Sequence, residues 1–519
     1  MHFTTHDQLI LLALLAVLAV LLIAAPKLRV PYPIFLVCGG LALGFVPGMP
    51  TISLPPEIVL VAVLPPLLYL SAYRTSLRDL RANARPIAIL AIGLVAATTI
   101  AVAVVAHAAV DDMSWSAAFV LGAVVAPTDP IAATAIMRRL GVPRGLVSIV
   151  ESESLVNDGT ALVLFRVAVV AALSGEFSVW DVSWRFVWAV VGGVAIGMIV
   201  GFLVAETRRR VDNPPVEVTI SLMTGYFAFI PAAAVSASGV ISVVTAGVYL
   251  GWRTPELTSV QSRLQGEALW TIVAFVLNAL VFALVGLQLS SILDKLTGTS
   301  GWQLTWWAIL VTGTVILTRI VWLPIFAWRN KRKPFTHTFL ISWAGMRGAV
   351  SLAAALSIPL ATDAGPPFPH RDLIIFLTFT VILGTLVLQG LTLPAVIRTL
   401  RIQPDTIEEE EDAQARIRAA EAALERLEEL TAEEWVRDDT AERMRGLYNF
   451  RRNRFTSRFD EESDGAIEEQ SRAYQRLRRE LLDAERAAVV ELGRSGLISG
   501  DVANRVRRDL DLEDARLEI

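Results

Sequence analysis

A single cysteine, Cys38, stands in the 519-residue chain, which excludes an intramolecular disulfide and any centre built on clustered thiolates. It lies in an apolar block, where a small buried residue is its ordinary role. Charge is scarce too: Asp, Glu, Lys and Arg make up 18% of the residues, and residues 8–25 (QLILLALLAVLAVLLIAA) and 87–106 (IAILAIGLVAATTIAVAVVA) hold none. Neither Lys nor Arg precedes the first of these blocks. A secretory leader is therefore not expected there, and the same pattern recurs many times downstream. No GxGD sequence surrounds Asp129 or Asp158, which argues against an intramembrane aspartyl protease, and an enzyme is not expected.

What fills the chain instead is apolar. The apolar residues amount to 54% of the total, and the mean hydropathy is +0.55. They come in long blocks rather than at helical spacing. A run of about 20 such residues crosses the hydrocarbon core as a helix, and lipid offers the backbone no hydrogen bonds, so each block reads as a helix. Thirteen spans result, near 7–25, 31–47, 56–73, 86–109, 114–137, 147–174, 184–206, 216–233, 238–251, 267–292, 304–328, 336–359 and 371–398. Loop charge supports the count. The loops after odd-numbered spans carry 20 basic residues, from Lys27 and Arg29 to Arg398 and Arg401, whereas those after even-numbered spans carry only Lys295 and Arg371. Basic loops stay cytoplasmic, so the N-terminus is expected outside and the C-terminus inside.

Composition changes near residue 401. Residues 1–400 carry 25 basic and 19 acidic side chains; residues 401–519 carry 21 Arg, no Lys and 31 acidic side chains. In the tail, Leu, Ile and Ala recur at three- and four-residue steps among opposite charges, the pattern of amphipathic helices. Such a tail is either a small helical unit packed on itself or a regulatory or dimer-contacting domain. Residues 460–465 (DEESDG) read as a loop between its helices.

The informative membrane residues are those that lipid disfavours. A charge at the centre of a spanning helix costs about 2.5–3.5 kcal/mol on insertion scales and marks a pathway or a partner. Span five reads LGAVVAPTDPIAATAIM, with Thr128 and Asp129 between Pro127 and Pro130. Each proline removes an amide donor and frees a carbonyl four residues earlier, at Ala123 and Ala126. Such a broken helix is suited to a small ion, with Asp129 as N-cap of the second half. Span six carries Glu153, Ser154, Asn157 and Asp158 on one side of a helix. Asp158 lies about three turns into the membrane with no basic neighbour on its turn. A lone desolvated carboxylate holds a proton or a cation, but not easily both. That competition is all a one-site exchanger requires. A structural carboxylate satisfied by a helix-to-helix hydrogen bond is the plainer alternative. Arg319 in span eleven needs a partner, and Glu153 is its natural counter-ion. Arg347, between Gly345 and Gly348 in span twelve, suits the C-terminal ends of half-helices at a crossing. Spans one to six pair with eight to thirteen about span seven. The odd offset inverts the repeat and matches the interrupted spans five and twelve.

Four stretches, PTDPIAATAIMRRLG (127–141), ESLVNDGTALVLF (153–165), WTIVAFVLNALVFALVG (270–286) and SWAGMRGAVSLA (342–353), with the weaker LPPLLYLSAY (64–73), resemble the monovalent cation:proton antiporter-1 family, the sodium/proton exchangers. The resemblance covers about residues 10–400 and not the tail. It implies a homodimer in the cell membrane, with a dimer domain (spans 1–3 and 8–10), a mobile core (spans 4–6 and 11–13), a linker span 7 and alternating access. It places the cation and proton site at Asp158, Asn157, Ser154, Thr128 and Asp129. Na+ would be held by Asp158, Ser154 and a backbone oxygen of Thr128, and Glu153–Arg319 would form a structural ion pair. Asn157 beside Asp158 implies electroneutral exchange of one Na+ for one H+, serving pH and sodium homeostasis. Where some members carry a carboxylate this chain has Leu70 and Ser71, which leaves Na+, Li+ and K+ open as substrates. Ser152 and an extra acid, Glu151, also depart from the family pattern.

The expected fold is thus an all-α membrane protein: thirteen transmembrane helices with inverted six-helix repeats, two interrupted crossing helices and a soluble helical C-terminal tail. No cofactor beyond the transported ions and no nucleic-acid partner is expected. A cation channel or uniporter of the same fold is the main rival reading. Arg166 has no assigned role at this stage.

Overall fold

The computed structural model describes residues 20, 23, 32–45, 59–174, 179–296, 298–327, 335–361, 366–402, 407–456 and 466–517. Regular structure among them is helical apart from one isolated β-bridge between Ala361 and Pro367. The chain forms two compact units, Met1–Pro404 and Asp405–Ile519.

In the first unit, the expected span 7–25 lies outside the described residues except for Val20 and Ile23, which are helical. Every later expected span coincides with a helix or a broken pair. Eight helical segments among the described residues are long and apolar enough to cross a membrane. Tyr32–Gly44 is shorter, Leu64–Arg74 is entered through a π turn at Val59–Val63, and the span near 336–359 is split into Phe335–Trp343 and Ala349–Leu356. Helix ends overrun the apolar blocks: the segment expected at 267–292 begins at Val260, and that expected at 238–251 runs to Leu257. Hydropathy marks where a helix meets hydrocarbon, whereas Arg, Gln and Glu are good helix formers that continue it into water.

Burial sorts the helices. In the most apolar stretches of Trp115–Arg139 and Arg371–Thr399, 72% of residues are buried, against 28% in Trp184–Arg210. The first two lie at the centre; the third turns Trp188, Val191, Ile199 and Phe202 outward, a face that lipid tolerates because its tails are as apolar as the side chains.

Two helix groups follow from the packing. Leu64–Arg74, Val179–Arg210, Pro214–Ala234 and Gly239–Leu257 pack on one another, and Tyr32–Gly44 lies along Val260–Lys295. That last pair touches backbone to backbone: a Cβ on Gly40 would fall 2.3 Å from the Ala283 carbonyl oxygen, so only a small residue permits the approach. Ala84–Ala109, the broken Trp115–Arg139, Arg144–Ser174, Gly301–Ala327, Phe335–Leu356 and Arg371–Thr399 form the second group.

The tail unit consists of Ile407–Leu430 paired with Asp438–Thr456, and Ala466–Arg494 paired with Gly500–Leu517. Leu482, Val489, Ala503 and Leu510 form the small core of the second pair, and Arg486 binds Asp511 and Asp514 across it at 3.0 and 2.8 Å. The loop expected at 460–465 lies outside the described residues.

Candidate functional site

Both interrupted helices break at the same point in space. Trp115–Val125 stops ahead of Pro127, and Pro130–Arg139 begins with the proline whose missing N–H is harmless in a first turn. Phe335–Trp343 and Ala349–Leu356 flank a second break at 344–348. The Asp129 backbone N–H donates to the Met346 carbonyl at 2.8 Å, joining the two strands of the cross.

A single carboxylate caps two half-helices. Asp129 Oδ1 accepts from the Ile131 N–H at 2.9 Å, and Oδ2 accepts from the Ala349 N–H at 3.4 Å. Gly348 makes the second contact sterically possible, because a Cβ there would lie 1.8 Å from Asp129 Oδ2. At the opposite ends stands Arg347, 1% exposed, donating from Nε to the Val125 carbonyl at 2.8 Å and from Nη1 to the Gly345 carbonyl at 2.9 Å. A negative group thus sits at two N-termini and a positive one at two C-terminal ends, each matched to the helix dipole it meets.

Helix Arg144–Ser174 runs beside the cross and offers it two adjacent faces. Glu153 and Asn157 point toward Arg319 and Thr128. Arg319 donates to Glu153 through Nη1 at 2.5 Å and Nη2 at 2.8 Å, with Nε and Nη2 also reaching the Ile341 carbonyl at 3.2 and 3.0 Å. The pair is buried, at 2% and 1% side-chain exposure. Asn157 Nδ2 donates to Thr128 Oγ1 at 2.7 Å, and Thr128 Oγ1 lies 3.4 Å from Glu153 Oε1 as donor. On the next face, Ser154 Oγ donates to the Thr128 carbonyl at 2.6 Å. Asp158, one turn further, is 6% exposed, and its Oδ1 has no hydrogen-bond partner. Among the described residues it forms no ion pair.

Four of these groups, Thr128, Asp129, Ser154 and Asp158, line a cavity of about 90 Å³ between the two helix groups. Thr128, Asp129, Ser154, Asp158 and Ser351 contribute polar atoms from one side, and Ser71 and Asn278 from the other, among Leu64, Leu67, Leu68 and Val281. Asn157 is not among the lining residues; it orients Thr128 from behind. Asp129 lines the cavity but spends both oxygens as caps. The donors that remain are carboxylate, hydroxyl and amide oxygens, hard ligands suited to a small hard cation.

Ser71, Asn278 and Ser351 were absent from the expected site. Asn278 Oδ1 and Ser351 Oγ are buried without a partner. Their signal was in the sequence: an amide alone in the apolar run WTIVAFVLNALVFALVG, and a serine one turn beyond Arg347, are the polar anomalies that mark pathways in membranes. Arg166 donates from Nη1 to the Ala237 carbonyl at 3.2 Å, at the turn joining Pro214–Ala234 to Gly239–Leu257. Glu151 forms a surface pair with Arg138 at 2.8 Å, away from the cavity.

Comparison with known proteins agrees with this architecture. The family described as "Sodium/hydrogen exchanger, transmembrane" matches residues 10–399. An uncharacterised Na+/H+ exchanger of Mycobacterium tuberculosis is 37% identical over 98% of this chain and 96% of its own length. The low-affinity Na+/H+ antiporter NhaS1 of Synechocystis is 32% identical, covering 82% of this chain and 81% of that protein. A sodium, potassium, lithium and rubidium/H+ antiporter of Bacillus subtilis is 32% identical over 74% of this chain, which spans 61% of that protein. Among solved structures, the sodium proton antiporter MjNhaP1 of Methanocaldococcus jannaschii superposes with a TM-score of 0.63 over 76% of this chain and 99% of its own, at 18% identity; this is a likeness of fold.

Proposed function

The chain belongs to the sodium/hydrogen exchanger family, and on that premise we propose that it exchanges Na+ for H+ one for one at Asp158 by alternating access. The observation that carries this reading is the free Asp158 Oδ1 in a cavity between two helix groups. A neutral, protonated Asp158 needs no counter-ion. A deprotonated one takes a cation in the proton's place, supported by Ser154 Oγ and the Thr128 carbonyl oxygen, whose second lone pair is uncommitted. Both loaded forms are neutral overall, so both can move through a low-dielectric seam. The thirteen-span topology, inverted repeats, homodimeric dimer domain, outer N-terminus and cell-membrane location belong to the same proposal, as does a role in pH and sodium homeostasis.

Purified protein in proteoliposomes, with proton movement followed by fluorescence dequenching, tests it. Addition of Na+ dissipates an imposed pH gradient, and clamping the membrane potential with valinomycin and K+ leaves the rate unchanged. The apparent KM for Na+ rises as pH falls, by up to about tenfold per pH unit once the proton dominates the shared site. Sodium flux without proton movement would identify the channel reading instead.

Asn278 and Ser351 extend the site. Asn278→Ala removes an amide oxygen from the wall opposite Asp158 and is expected to raise the KM for the cation several-fold, with little change in maximal rate. A KM equal to that of the unmodified protein would remove Asn278 from the ligand set.

A further inference from the structure

Away from the cross, a second cavity of about 230 Å³ lies among Arg74, Arg208, Thr258, Arg263 and Glu267. Its lining comes from five helices, Leu64–Arg74, Val179–Arg210, Pro214–Ala234, Gly239–Leu257 and Val260–Lys295, and its arginines belong to three of the basic stretches that follow odd-numbered spans. Arg208 is 4% exposed. Its Nη2 donates to Thr258 Oγ1 at 3.2 Å, but Nε and Nη1 have no partner, and it forms no ion pair among the described residues. A buried guanidinium with two idle donor nitrogens is destabilising on its own. Arg263 donates from Nη1 to the Thr258 carbonyl at 2.8 Å, and Arg74 from Nη2 to Thr271 Oγ1 at 3.4 Å; both are exposed residues. The one carboxylate on the lining, Glu267, is exposed.

We propose that this cavity binds a phosphate-class oxyanion, with Arg208 as the buried anchor and Arg263 and Arg74 at the mouth. A guanidinium fork matches two oxygens of a tetrahedral anion, and charge-assisted bonds to phosphate are about twice as strong as neutral ones. Two sources offer that group: the headgroup phosphate of an anionic phospholipid, or free phosphate from the aqueous side. Bound there, it neutralises Arg208 and ties three helices on one side of the transport cavity.

The full chain in neutral detergent tests this by its melting temperature in two arms. One compares inorganic phosphate with chloride at matched ionic strength; the other compares phosphatidylglycerol with phosphatidylcholine. Stabilisation by phosphatidylglycerol alone assigns the headgroup, and stabilisation by inorganic phosphate assigns the free anion. Arg208→Gln is expected to abolish the effect without lowering the melting temperature of the ligand-free protein, an outcome a purely structural arginine does not produce. Arg263→Gln, at an exposed position, weakens the apparent affinity by at least about tenfold, the worth of one charge-assisted hydrogen bond. The proposal is overturned if neither arm stabilises the protein, or if Arg263→Gln and a folded Arg208→Gln respond as the unmodified chain does.

Discussion

Asp158→Asn is expected to reduce Na+-driven proton movement in proteoliposomes to the level of protein-free vesicles while the protein stays folded. The amide has the same shape, so the packing of Leu155 and the Ser154–Thr128 bond have no reason to change. What disappears is the only side chain on the cavity with an oxygen neither hydrogen-bonded nor ion-paired and able to hold either a proton or a positive ion. Melting behaviour supplies the control. A buried carboxylate without a counter-ion carries a desolvation cost, so its neutral isostere should melt at the same temperature or higher. Loss of exchange with stability kept or gained is the pattern of a residue held for function at the expense of stability. Exchange retained by Asp158→Asn sinks the one-site reading, whatever the fold.

Glu153→Ala is expected to act in the opposite sense. It leaves Arg319 buried with one side of its guanidinium facing nothing, and breaking a buried pair in this way costs about 3–5 kcal/mol. The yield of folded protein and its melting temperature should fall sharply, while the KM for Na+ in the surviving fraction changes little. Glu153 touches the site only through Thr128 Oγ1. The double variant Glu153→Leu, Arg319→Met removes both charges and should recover part of the loss, because an apolar pair can replace a buried ion pair. Recovery stays partial, since the two bonds from Arg319 to the Ile341 carbonyl go as well. A Glu153→Ala protein with ordinary melting temperature and altered cation affinity would instead make Glu153 a ligand.

The parts of this site that sequence could disclose are those set by near neighbours. Pro127 and Pro130 announce the break in their helix, Asp129 reads as a cap because Ile131 is two residues away, and the i, i+4 spacing of Ser154 and Asp158 puts them on one face. Glu153 and Arg319 could be matched across 166 positions because each is a charge that lipid forbids alone. Other features have no local trace. The second bond of Asp129, to Ala349, joins residues 220 apart. Nothing around Asp129 indicates that its other oxygen is spoken for. Asn157 and Asp158 are adjacent and look alike in a one-dimensional reading, yet helix rotation turns one behind Thr128 and the other into the cavity. Asn278 carries a polar anomaly plain in its own segment, but which cavity it meets depends on how Val260–Lys295 packs. The helix ends were misplaced for a different reason: apolar blocks record the thickness of the bilayer, and a helix has no need to stop there.

Asp129 also limits how the protein can flex. Because its two oxygens fasten two separate half-helices, sliding one interrupted helix past the other would strip an N-terminus of its anion and expose the bared amides to a dry interior. The cross therefore behaves as a riveted joint. Under the alternating access proposed above, that joint moves as one body, and the slip plane falls on the far wall, along Leu64–Arg74 and Val260–Lys295, where Ser71 and Asn278 stay behind while the cargo travels with Asp158.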